Sequence, residues 1–174
     1  KPEDYSKTGG ILKATNSIFR NNAKSIHALH YKNTHPYHPE WEMNYNGSVK
    51  NCTFEITTDY IPTTTFYKHV DLANIRGFSF SGSDFTLAPN VAGVNDWNSG
   101  IAAYSAGFSV QATCTSATQP CSTYDKCKFS GFRYGIDASH AGFSVNTFTV
   151  NRAEFENNIY GINVKGIKSE TILN

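Results

Sequence analysis

Apolar residues recur along this chain with the two-residue period of a β-strand, in short bursts and never in long runs. Five bursts align with one another: Ser17-Ile18-Phe19-Arg20-Asn21, Cys52-Thr53-Phe54-Glu55-Ile56, Phe78-Ser79-Phe80-Ser81-Gly82, Cys127-Lys128-Phe129-Ser130-Gly131 and Ala153-Glu154-Phe155-Glu156-Asn157. Each sets a small or soft residue two before a Phe and usually a turn former two after it. A second short strand follows in Ser25-Ile26-His27-Ala28-Leu29, Gly135-Ile136-Asp137-Ala138 and Gly161-Ile162-Asn163-Val164. The stretch from Gly100 to Val110 matches that from Gly135 to Val145 at eight of eleven positions. A segment that recurs in register marks a protein built by stacking one unit.

The intervals between the five phenylalanines are 35, 26, 49 and 26 residues, which sets a bare period of 26 with the excess in loops. Insertions are expected at about His30 to Gly47, Thr57 to His69, Thr86 to Ser99 and Gln111 to Ser122, all between strands. A unit of this length with several short strands and no helical period predicts an all-β, right-handed parallel β-helix of about five coils. Leucine-rich repeats have similar length, but their L-x-x-L-x-L pattern is missing; a β-sandwich with coincidental internal similarity is the rival. Stacked coils place like residues over like at about 4.8 Å. Phe19, Phe54, Phe80, Phe129 and Phe155 are therefore expected in one internal column, and Ile26, Ile101, Ile136 and Ile162 in another. Asn21 and Asn157 are placed where an Asn ladder would bridge turns. Residues 1–174 read as a single β-helix segment. The last coil, Ile159 to Ile167, lacks a polar or helical cap. The expectation is a slice of a longer solenoid whose first partners are neighbouring coils of the parent chain.

Composition supports strands: 12 Phe and 10 Tyr stand against one Met in 174 residues. With 15 basic and 14 acidic residues there is no basic field for nucleic acid. No apolar run reaches the length of a membrane span. Cys114 and Cys121 flank a short loop, and a disulfide there would imply an oxidising compartment. Cys52 and Cys127 occupy equivalent interior positions two coils apart, too far to bridge, and read as buried small hydrophobes.

Candidate chemistry is sparse. His27, His30, His35 and His38 cluster within twelve residues. Metal ligation is weighed there against solvated loop histidines, which are favoured, and no cofactor or metal is assigned. Tyr37, Trp41 and Tyr45 in the same insertion, with Trp97 in another, are candidates for stacking on sugar rings, against simple packing of loops onto the coil flank. Asp125, Asp137, Glu154 and Glu156 lie near coil strands, with Lys126, Lys128, Arg133 and Arg152 as cations. Hydrolysis of a glycoside needs two carboxyls at fixed separation, yet alternating charge on an outer strand face usually serves solubility.

The run Gly9-Gly10-Ile11-Leu12-Lys13-Ala14-Thr15-Asn16-Ser17-Ile18-Phe19-Arg20-Asn21-Asn22-Ala23-Lys24 resembles the coil opening of large secreted β-helix proteins of the Bacteroidota. Val49 to Phe54, Tyr124 to Phe129 and Val150 to Phe155 continue the likeness, and the loop cysteine pair fits it. The resemblance implies export to the cell surface or medium through type IX secretion, in proteins described as adhesin-like or of unknown activity. Pectate-lyase and polygalacturonase relatives share the architecture, but their Asn-Thr-Asp and Arg-Ile-Lys signatures are missing here, and shared fold does not carry shared function. The expectation is a non-catalytic stalk, adhesin-like or glycan-contacting segment, with polysaccharide or cell-surface glycan as partner. The alternative is a polysaccharide-active lyase or glycoside hydrolase whose site lies partly outside this segment.

Overall fold

A computed structural model describes residues 11–30, 34–35, 37–42, 46–61, 63–117, 119–140, 147–166 and 170–173; for 34–35, 39–42 and 170–173 it describes the backbone alone. The described residues contain strands and turns and no helix. The first turn of chain comprises β1 (Lys13–Thr15), β2 (Ile18–Arg20) and β3 (Ile26–Leu29), followed by a hairpin of β4 (Thr34–His35) and β5 (His38–Glu42). The second comprises β6 (Ser48–Lys50), β7 (Thr53–Ile56) and β8 (Phe66–Ala73), and the third β9 (Arg76–Ser81), β10 (Asp84–Leu87) and β11 (Val94–Tyr104). The fourth opens with β12 (Gly107–Gln111), carries a hairpin of β13 (Thr113–Cys114) and β14 (Tyr124–Asp125), and continues with β15 (Lys128–Ser130) and β16 (Tyr134–Ser139). The fifth comprises β17 (Phe148–Asn151), β18 (Glu154–Glu156) and β19 (Tyr160–Lys165), and β20 (Glu170–Leu173) begins a sixth.

Apart from the two antiparallel hairpins, these strands pair with their counterparts in adjacent turns. One parallel sheet runs β1-β6-β9-β12-β17-β20, a second β2-β7-β10-β15-β18, and a third β3-β8-β11-β16-β19. Three parallel sheets filled one strand per turn are consistent with a parallel β-helix. We call each turn a coil and the sheets the first, second and third.

Register explains the sequence pattern residue by residue. In the second sheet Phe19, Phe54, Phe85, Phe129 and Phe155 pair in succession. Their rings stack at 4.6, 4.7, 4.6 and 5.1 Å, close to the strand spacing of a sheet. Phe80 therefore does not belong to this column, contrary to the sequence expectation. It lies in the first sheet between Val49 and Val110 and meets Phe85 edge-on at 5.9 Å. The isoleucine column is present in the third sheet, with Val70 filling the second coil: Ile26, Val70, Ile101, Ile136, Ile162.

A glycine column sits beside it. Gly100, Gly135 and Gly161 follow one another in successive coils, each just before its Ile. A Cβ on Gly100 would lie 2.8 Å from Phe129 Cδ1, and one on Gly135 would lie 2.7 Å from Phe155 Cδ1. The recurrent Gly-Ile pair is thus the space left for the phenyl column. The same position in the second coil holds His69, fully buried between aromatic rings.

Asn21 and Asn157 do not belong to a continuous Asn ladder. Between Asn21 and Asn157 the same row carries Ile56, Leu87 and Gly131. Asn21 and Asn157 instead bend the chain at the corner between the second and third sheets, with φ of 55° and 54°. Asn16, Asn51, Gly82 and Arg152 do the same at the corner between the first and second sheets, at φ 51°, 52°, 52° and 57°. Asn and Gly suit this left-handed region because their steric cost there is small. Asn21 also ties one coil to the next, its amide donating to Thr57 Oγ1 at 3.0 Å and accepting from the Thr57 N–H at 2.8 Å.

Cys52 and Cys127 are buried free thiols in one interior row with Ser83 between them. Burial pushes the Cys127 thiol up to about 11. Cys114 and Cys121 form a disulfide, with Cα atoms 6.0 Å apart, at the mouth of the β13–β14 hairpin. The second half of the near-copy, 141–146, lies outside the described residues. Phe108 pairs with Phe148.

Candidate functional site: an aromatic and cationic strip on the third sheet

In β11 the register shifts between Val94 and Ser99, which lifts a short bulge out of the sheet. Bulges of this kind re-aim side chains, and here the side chain presented is Trp97, 61 % exposed. Hydrogen bonds fix the bulge. The Trp97 N–H donates to Asn95 Oδ1 at 2.8 Å, and Asn98 Nδ2 donates to the Asn95 carbonyl at 2.7 Å. Asn98 Oδ1 in turn accepts from the Arg133 N–H at 2.9 Å, locking the bulge to the next coil.

That link places Arg133 against Trp97. The guanidinium carbon lies 4.2 Å from the Trp97 ring centroid and 5.5 Å from that of Tyr134, within cation–π range. Its Nε donates to Tyr134 Oη at 3.1 Å. Tyr134 pairs with Tyr160 in the following coil, and the rings stack at 5.3 Å. Trp97 and Tyr134 lie 6.2 Å apart. Trp97, Arg133, Tyr134 and Tyr160 therefore form one strip along the coil axis, Trp97 and Tyr160 being its exposed ends.

Of the residues expected to contact a ligand, Trp97 falls in this strip and, among those whose side chains are described, Tyr37 does not. Tyr37 is exposed at the tip of the β4–β5 hairpin. The Trp41 backbone lies in β5 but its side chain is outside the described residues, as is Tyr45 altogether. Sequence reasoning places Arg133 only among the cations of a lyase-type site and misses Tyr134 and Tyr160. The signal for both was the tripeptide Tyr-Gly-Ile, repeated at 134–136 and 160–162.

His27 and His30 take separate partners. His27 faces Asp71 at 3.5 Å, whereas His30 Nδ1 lies 2.9 Å from the Asn74 carbonyl. His35 and His38 are backbone partners across the β4–β5 hairpin. Among the described residues no group of three or more His, Cys, Asp or Glu is placed to hold a metal ion.

A second cluster lies on the outer face of the second sheet. Asp84, Lys128 and Glu154 pair in successive coils. Burial raises the Asp84 carboxyl above its ordinary range, with Asp125 and Glu154 adding to the rise and Lys128 opposing it. Lys126 donates to Glu154 at 2.8 Å and, with Lys128, holds that carboxyl below its ordinary range. Arg152 lies 3.8 Å over the Tyr124 ring. Asp137 sits apart, on the third sheet, accepting from Asn163 Nδ2 at 2.7 Å. No helix among the described residues is long and apolar enough to cross a membrane. Comparison with family models, curated proteins and solved structures yields no match to this chain.

Proposed function

We propose that this chain is a non-catalytic segment of an exported, right-handed parallel β-helix, and that the outer face of its third sheet contacts glycan. The observation that carries the proposal is Trp97, 61 % exposed on a bulge whose backbone three hydrogen bonds fix, and flanked by a guanidinium. An exposed Trp held rigid loses little entropy when a sugar ring stacks on it, so its contact area converts efficiently into affinity. Right-handedness follows from the strong preference of parallel crossovers for that hand. Export to the cell surface or medium, by the type IX route of the Bacteroidota proteins that the sequence resembles, is supported by the Cys114–Cys121 disulfide.

A glycan array read with wild type and Trp97→Ala tests the contact role. Binding by the wild type should fall about tenfold or more in the variant, the loss typical of an interfacial Trp. Unchanged binding would remove the third sheet from consideration.

One observation favours a second reading, a polysaccharide-active site on the second sheet. Environments there push two carboxyls in opposite directions, Asp84 up and Glu154 down, as acid–base pairs require. Under this reading the protein releases oligosaccharide or unsaturated uronate from polysaccharide, and Asp84→Asn abolishes the release. No product from a panel of neutral and acidic polysaccharides would leave the contact role alone.

A further inference from the structure

We infer that the third-sheet strip selects anionic polysaccharide, one bearing carboxylate or sulfate on its rings, over neutral chains; this rests on the glycan-contacting reading above. Several other cations on this surface pair with carboxylates: Arg20 with Glu55 at 2.7 Å, Lys24 with Asp71 at 2.8 Å, and Lys126 with Glu154 at 2.8 Å. Arg133 makes no ion pair among the described residues. Asp96 acts on it electrostatically from within the same bulge without pairing to it. Its side-chain contacts are the rings of Trp97 and Tyr134 and the Tyr134 hydroxyl.

That arrangement leaves the guanidinium oriented, with Asp96 acting on it but no carboxylate in ion-pair contact among the described residues. The bond from Nε to Tyr134 Oη fixes the plane of the fork, and among the described residues no acceptor takes up the Nη edge. A planar fork held in this way matches a carboxylate or sulfate with two parallel hydrogen bonds. Neutral hydroxyls would leave the charge uncompensated. The rings add direction. Trp97, Tyr134 and Tyr160 belong to three successive coils, so the strip spans two strand spacings, about 9.6 Å. A chain laid along the coil axis meets the Trp97 face, then the cation, then the Tyr160 face, which gives room for a short oligosaccharide with its acidic group at the centre.

The test compares oligogalacturonides with cello-oligosaccharides of matched length, by calorimetry or interferometry, on wild type, Arg133→Gln and Arg133→Lys. The wild type should prefer the acidic chain by about fivefold to tenfold, the span of one charge-assisted hydrogen-bonded pair. Arg133→Gln should erase that preference, bringing the two chains to equal affinity in that variant, and Arg133→Lys should keep part of it. Raising salt from ~0.05 M to ~0.5 M should weaken wild-type binding to the acidic chain and not that of Arg133→Gln. Equal affinity for both chains, or a preference that survives Arg133→Gln, overturns the anion selectivity and leaves glycan contact standing. Absence of binding to either chain, with the variants' melting temperatures unchanged, overturns both.

Discussion

Phe129 has no exposed surface and lies between Phe85 at 4.6 Å and Phe155 at 5.1 Å, nearly parallel to both. Truncating it opens a cavity in a column that stacked backbones hold apart, so the site cannot collapse to refill it. Phe129→Ala should destabilise the protein by about 3–5 kcal/mol in urea unfolding; a loss under about 1 kcal/mol would mean that the column is not the core. Gly135 makes the complementary case. An added Cβ would meet the Gly161 carbonyl oxygen at 2.6 Å and Phe155 Cδ1 at 2.7 Å. The first contact is backbone and cannot swing away. Gly135→Ala should therefore cost at least about 1–3 kcal/mol, as overpacking does, despite adding one methyl group to a buried position.

His69 adds a dependence on pH. Desolvation by burial holds its imidazole down at about 4, from an ordinary 6.5, although the Thr86 carbonyl 3.2 Å from Nε2 opposes the shift. The unfolded chain takes up a proton near pH 6.5 and the folded chain does not until about 4. Acid in that interval therefore favours unfolding. Stability should be fully present above pH ~6.5 and decline as the pH falls, by about 3 kcal/mol over the whole interval. Chemical denaturation between pH ~7 and ~5 reads the slope, and His69→Gln should flatten it. A slope unchanged in the variant would assign the effect to other groups.

At the scale of elements, the sequence carried four of the five ring positions, the isoleucine column, the interior thiol row and the loop disulfide. Each rests on local spacing that survives stacking. The fifth ring was misassigned for a physical reason. Coils bend through left-handed residues at more than one corner, so Gly82 after Phe80 offers the same turn chemistry as Gly131 after Phe129. Gly82 turns the chain into the second sheet, whereas Gly131 turns it out, and composition does not distinguish the two. Phe80 and Phe85 both point inward on adjacent strands, so hydrophobicity gives no help either. The β13–β14 hairpin is a separate matter. It pairs at two positions and projects from the coil, with its disulfide closing a short loop. Reducing Cys114–Cys121 should strip hydrogen-exchange protection from 113–125 while the Phe129 and Ile136 amides keep theirs. Loss of protection throughout the fourth coil would make the hairpin part of the core.

At the scale of the whole molecule, each coil touches chiefly the coils before and after it, so stability adds along one axis. The strip of Trp97, Arg133, Tyr134 and Tyr160 exists only because three coils stack. That is why it was poorly legible in sequence: Trp97 stood out as a lone exposed aromatic, but its partners are 36, 37 and 63 residues away. Contacts of that kind appear only once register is known. The insertion lengths, which the Phe80 assignment had skewed, set that register. The order of rings in the phenyl column therefore fixes the register of the coils. Side-chain and backbone NOEs in solution test it most directly. In-register parallel stacking predicts contacts running Phe54 to Phe85, Phe85 to Phe129 and Phe129 to Phe155. Phe80 in place of Phe85 between Phe54 and Phe129, or close Hα–Hα contacts of antiparallel pairing across these strands, would contradict it.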